Sequence, residues 1–232
     1  MGSIALEFGL DMGDLLDANP DVSPYAMSVG QEIIIPSVEA EDENPVAMEN
    51  LDLQLDSPSC YVTLSGGTWC FVQVENDEQV AVESIAVQVS LFDEENTLIT
   101  DEVAYALLDR LPAGESFPLA VYFSSVGDFH HAEASLQTGF AAPGDEGFVP
   151  ASLQRVLTEI AWDGRSAQVS GEVVTDGNAS QIWVLATAFD ERGNVVGARR
   201  WEGAGEETTF HLMVASLGHA IDRVSLLVEA RP

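Results

Sequence analysis

Adjacent imidazoles at His130 and His131 stand beside Asp128 and Glu133. Such a grouping would hold a metal ion or move protons if its side chains converged. Consecutive residues on a strand point to opposite faces, so the two rings read as unable to share one ion or one substrate. His211 and His219 are isolated. Carboxylates are so numerous that some pair falls at glycosidase spacing by composition alone, which removes their diagnostic value. No Gly-x-Ser-x-Gly, Walker loop or His-Glu-x-x-His occurs. These residues point to a non-enzyme with no metal and no cofactor.

Cys60 and Cys70 flank "YVTLSGGTW", in which Ser65-Gly66-Gly67-Thr68 can turn the chain back on itself. A hairpin there sets the two thiols opposite each other, within disulfide reach in the right register. Two buried free thiols, or half of a metal site, are the competing readings. A zinc site needs further ligands, and neither CxxC nor His-x-x-x-His lies nearby.

The whole chain bounds what these residues can serve. Its 232 residues suit one large domain or two small ones, and 46% hydrophobic content suits folded cores. Acidic residues number 39 against 8 basic ones, all arginine, for a formal charge of -31. Phosphate backbones and anionic lipid surfaces repel such a chain, which argues against nucleic-acid and membrane-surface roles. A salt-rich habitat produces the same bias. No apolar run approaches the ~20 residues of a membrane span, and the start lacks the basic and apolar regions of a secretory signal.

The strongest organising signal is an internal repeat. "SIAVQVSLFDEENTLI", residues 84 to 99, aligns without a gap with "QIWVLATAFDERGNVV", residues 181 to 196. Ile85, Val87, Val89 and Leu91 alternate with small or polar residues, the period of a strand with one buried face. Phe92-Asp93 and Phe189-Asp190 then enter turn chemistry, so each copy reads as a hairpin. Val72 matches Val169 at the same offset, placing another strand upstream in both copies. Downstream, "PAGE" introduces "SFPLAVYF" and "GEE" introduces "TTFHLMV". Short strands at regular spacing predict a β-sandwich in each half.

The wording "VQVEN" and "VSGEVV", then "SLFDEENTL" and "TAFDERGNVV", then "LPAGESF", resembles the FxLYD family of small immunoglobulin-like bacterial surface modules. The resemblance covers residues 51 to 140 and 153 to 232, with Phe in place of the family's tyrosine in both copies. It implies no catalysis, and extracellular spacing, display or assembly.

The chain opens on a different pattern. Ile4 and Phe8, then Met12, Leu15 and Leu16, suit two short helices separated by Gly9, the second capped by Asp11. Asn19-Pro20-Asp21 ends that helix, Ser28 to Gln31 turns, and Glu32 to Ile35 reads as a strand. "IALEFGL", "LLDANP" and "VGQEIIIP" in this order resemble the later two thirds of a LysM module, the small βααβ domain of cell-wall binding proteins. The match covers about residues 3 to 36; the family's first strand and Gly-Asp-Thr turn would lie upstream of Ile4. The resemblance implies binding of N-acetylglucosamine polymers, with contacts from Asn19, Pro20, Asp21, Val22, Ser23, Pro24 and Tyr25. The same residues also serve simply to end helices and turn the chain, with Ile33 and Ile35 filling a small core.

Residues 37 to 50, "SVEAEDENPVAMEN", read as an acidic linker, and residues 141 to 152 as a second break, giving flexibly joined beads. The acidic stretches lack the alternating ligands and central glycine of an EF-hand loop. Trp183 and Leu185 occupy the alternation opposite Ile182 and Val184, so the second sandwich presents an apolar strip: a docking face for another module or subunit, or an inner face in shifted register. The expected fold class is mainly β, two immunoglobulin-like β-sandwiches preceded by a small truncated LysM-like α/β segment. The expected partners are cell-wall glycan at a bacterial cell surface or, alternatively, neighbouring surface-protein subunits in a homo-oligomer or filament.

Overall fold

The computed structural model describes residues 18–19, 33–35 and 51–232, apart from 143, 145, 146, 206 and 207. The helices expected before Asn19, the loop Pro20 to Tyr25 and the acidic linker 37–50 lie outside the described residues. The chain divides into two compact units, Met1–Ala47 and Met48–Pro232.

Met48–Pro232 is built from antiparallel strands, with no helix among the described residues. The first half carries β1 (Gln54–Leu55), β2 (Ser59–Val62), β3 (Thr68–Glu75), β4 (Ala81–Phe92), β5 (Leu98–Ala106), β6 (Arg110–Leu111), β7 (Ser116–Phe123) and β8 (His131–Ala142). The second carries β9 (Ala151–Ile160), β10 (Ser166–Thr175), β11 (Gln181–Phe189), β12 (Val195–Ala204), β13 (Thr209–Ala215) and β14 (Arg223–Arg231).

The two halves share one plan. In the first, β3 lies between β7 and the short β1 and β2, while β4 lies between β5 and β8. In the second, β10 lies between β13 and β9, and β11 between β12 and β14. One difference separates them: β5 and β7 are linked through Tyr105↔Ala120 and Ala106↔Leu119, which joins the two layers of the first sandwich at one edge. The second sandwich keeps two separate sheets.

Alternation explains the cores. Val87, Val89 and Leu91 of β4 are fully buried and share one cluster with Val72, Val74, Phe117 and Leu119. In the second half Val169, Ile182, Val184, Phe210 and Leu212 do the same. Each such side chain contributes about 1.5–3 kcal/mol relative to exposure, so these rows set the register. Val82 and Ile85 are both buried although three positions apart. A bulge reconciles them: Ser84 sits at φ 54 and the ladder shifts between Glu83 and Ala86.

The repeated hairpin is preserved in detail. In both copies the bulge falls at the phenylalanine, with Phe92 opposite Leu98 and Phe189 opposite Val195. Asp93 Oδ1 accepts from the backbone N–H of Glu95 and Thr97 at 3.0 and 2.7 Å. Asp190 Oδ1 accepts from Arg192 and Asn194 at 3.0 and 2.9 Å. The left-handed position that follows is Asn96 (φ 63) in one and Gly193 (φ 85) in the other, residue types that tolerate it. Burial alone would raise the Asp190 carboxyl, but hydrogen bonds from the Asn194 side chain and from the backbone of Asn194 and Arg192 outweigh it and hold it below its usual 3.8. Its contribution is therefore present above that value and lost as pH falls through the lowered one.

The halves are packed on each other rather than strung as free beads. Phe71 of β3 forms one buried cluster with Phe189 and Val195, flanked by Trp69, Ala120 and Ala198. Leu185, 1% exposed, belongs to the same cluster as Leu108, Phe117 and Leu119 of the first half, and Trp183 packs against it. Strand β11 is thus covered on both faces, Ile182, Val184 and Ala186 inward and Leu185 toward the other sandwich. Tyr61 Oη donates to the Val195 carbonyl at 2.9 Å across the same seam, and burial raises its pKa above the ordinary value.

Candidate functional site

Among the described residues of the N-terminal unit, Asn19 is bonded to Ile34. Asn19 is 5% exposed; its Nδ2 donates to the Ile34 carbonyl and its Oδ1 accepts from the Ile34 N–H, each at 2.7 Å. A side-chain amide here takes the place of a neighbouring strand's peptide group, engaging a backbone donor and acceptor together. With that pairing in place, Ile33 to Ile35, expected within a strand, has no ladder partner among the described residues. Ile33 and Ile35 are half-buried while Ile34 is 65% exposed, the alternation of an extended segment. The clamp fixes where the Asn19 corner sits relative to the isoleucines.

Cys60 and Cys70 are directly opposed in the β2–β3 hairpin and form a disulfide, with Cα atoms 4.0 Å apart. The neighbouring residue on β2 is Tyr61, so the bridge also pins the strand that reaches across the seam.

His130 and His131 depart from the expected geometry. Their rings meet edge to face with centroids 5.8 Å apart, because His130 precedes β8 and strand alternation does not apply to it. His131 stacks on Phe92 at 5.0 Å and lies 3.6 Å from Glu133, while the His130 backbone N–H donates to the Phe92 carbonyl at 2.7 Å. These contacts close the strand end.

Sequence reasoning missed the polar part of the seam. Glu229, 6% exposed, accepts from the backbone N–H of Asp109 and Arg110 at 2.9 and 3.0 Å and from Arg231 Nε at 3.1 Å. Arg231 also pairs with Asp109, and Arg200 Nη1 donates to the Leu107 carbonyl at 2.7 Å. Both guanidinium groups flank the Trp183 ring, at 4.4 Å for Arg200 and 5.1 Å for Arg231. Burial is the main reason that the Glu229 carboxyl titrates above its ordinary 4.5; the Asp109 charge adds to it, and the bonds from Arg110 and Arg231 oppose it. Within "SLLVEARP" nothing marks this glutamate as buried, since its backbone partners Asp109 and Arg110 lie 120 and 119 residues away.

Comparison with solved structures finds distant likenesses. Red sea bream transglutaminase is 12% identical over 76% of this chain and 28% of that one, with a TM-score of 0.26. A glycosyl hydrolase family 2 member from Bacteroides cellulosilyticus is 12% identical over 74% and 24%, at 0.20. Ruminococcus gnavus β-glucuronidase is 13% identical over 71% and 33%, at 0.21. The chain spans about a quarter to a third of the length of these proteins. No curated protein matches it. The LysM domain model matches residues 1–36, the segment that contains the Asn19 clamp.

Proposed function

We propose that the chain is a non-catalytic cell-envelope protein. It binds N-acetylglucosamine-containing glycan, of the peptidoglycan or chitin kind, through its N-terminal segment, with the two sandwiches as spacers. The observation that carries this reading is the LysM match over residues 1–36. In it, Asn19 positions the loop, and Pro20, Asp21, Val22, Ser23, Pro24 and Tyr25 form one wall of the groove, where prolines limit loop entropy. The modules, 51–140 and 153–232, carry FxLYD-like wording in both halves, which supports extracellular spacing. The Cys60–Cys70 bridge suits an oxidising compartment at the bacterial surface.

Co-sedimentation with insoluble peptidoglycan and chitin tests the reading. The chain is expected in the pellet with at least one of them, and Asn19→Ala is expected to weaken retention severalfold by freeing the loop. Absence from both pellets would reject it.

A second reading, subunit assembly, is favoured by one strand. β9 is the outer strand of its sheet, and Val156, Leu157 and Ile160 are 44%, 56% and 38% exposed, with Trp162 at 98% just beyond. Exposed edges of this kind add strands from other chains. Sedimentation velocity would then show concentration-dependent association that Leu157→Lys removes. A sedimentation coefficient independent of concentration would dismiss assembly.

A further inference from the structure

The outward face of β5, β4 and β8 is not used by the seam between the sandwiches. Its rows are set by register: Tyr105, Ala86 and Thr138 lie side by side, then Val103, Gln88 and Ser135, then Asp101, Ser90 and Glu133. The middle strand therefore contributes Ala86, Gln88 and Ser90, with the longer Gln88 side chain standing between the small Ala86 and Ser90. Tyr105 stands at one end, 67% exposed.

That end opens into a cleft of about 510 Å³, lined by Ser84, Ala86, Tyr105, Asp109 and Thr138 and, from the seam, by Arg231. Ser84 is the left-handed residue of the bulge, and Thr138 Oγ1 donates to its carbonyl at 2.6 Å. A non-glycine residue in that conformation is uncommon, and such outliers gather at ligand sites.

Polar groups along the face hold one another. Gln137 Nε2 donates to Gln88 Oε1 at 3.3 Å and to Ser135 Oγ at 3.1 Å, and Gln88 Nε2 donates to Asp101. Side-chain amides and hydroxyls fixed in this way offer donors and acceptors at little further loss of rotamer freedom. Sugars present the complementary surface, a flat C–H face for an aromatic ring and a rim of hydroxyls and acetamido groups for amides. The charge selects among sugars. Asp101 and Glu133 border the face of a chain carrying -31, which repels uronic or phosphorylated saccharides, while Glu83 and Asp109 are paired with Arg110 and Arg231.

We propose that this face is a second site, on the first sandwich, for a neutral N-acetylated saccharide chain lying along Ala86 to Ser90 with Tyr105 beneath one sugar ring. The choice of an N-acetylated sugar rests on the function proposed above; the site itself does not.

Amide shift mapping of the full chain with soluble N-acetylglucosamine oligomers tests it. Shifts are expected around residues 86–90, 103–105 and 135–138. Tyr105→Ala is expected to weaken that binding roughly three- to tenfold, the worth of one aromatic contact, while leaving shifts within residues 1–36 unchanged. Shifts confined to residues 1–36 would overturn the second site and keep the N-terminal one. Shifts confined to the sheet would do the reverse. The parent map decides the matter even if the variant fails to fold, and Gln88→Ala provides a second substitution on the same face expected to weaken the same shifts.

Discussion

Replacing Leu185 by alanine is expected to destabilise Met48–Pro232 by about 3 kcal/mol and to loosen both sandwiches together. The side chain is 1% exposed and belongs to the cluster built mainly from first-half residues, although its own strand is central to the second half. Truncation removes Cγ and both Cδ carbons from a site walled by β-sheets, which collapse poorly around a cavity. Urea unfolding gives the magnitude, and hydrogen exchange gives the location. Faster exchange is expected in β3, β7 and β11 alike. Acceleration restricted to residues 151–231 would show that the seam carries no stability, whatever the total loss.

Glu229→Ala is the second large effect, about 2–3 kcal/mol at neutral pH. Two contributions oppose each other. Removing the carboxylate relieves its desolvation, but it leaves the N–H groups of Asp109 and Arg110 without this acceptor and Arg231 without one of its partners. Losing the acceptor for these part-buried donors outweighs the relief, because each orphaned group forfeits about 1 kcal/mol or more. The pH dependence has a definite sign. A carboxyl whose folded pKa is raised above its ordinary 4.5 makes the folded state the better proton binder in the interval between the two values. Stability from this group is full below 4.5 and declines as pH rises through the raised value. The alanine substitution is therefore most damaging in acid, opposite to the behaviour expected of a surface ion pair. Glu229→Gln keeps an acceptor and should abolish this slope. Subtracting variant from parent at each pH cancels the many other carboxylates, and an identical slope in the parent and in the Glu229→Gln variant would reject the assignment.

How far these features were legible depends on how local their causes are. The hairpins at 84–99 and 181–196 were readable because strand alternation, the Phe-Asp corner and the turn residues lie within one short window. The hairpin that brings Cys60 to Cys70 was readable for the same reason, and the disulfide follows from its register. Alternation set Trp183 and Leu185 on one face but left open whether that face was an outward strip or an inner one in shifted register, since what covers them depends on which distant surface arrives. The edge link between β5 and β7 rests on two residue pairs that no pattern announces. The His130–His131 geometry was misjudged by one residue of strand boundary. Around Asn19, wording alone suggested a helix-ending corner; the bidentate hold on Ile34 needed coordinates.

Sharing buried side chains across the seam also changes what the two sandwiches can be mechanically. Separate beads on a thread extend one after another under load, each yielding at its own weakest ladder. Here Leu185 and Phe71 lie in surroundings that both bodies share, so load on one sandwich is passed through them to the other.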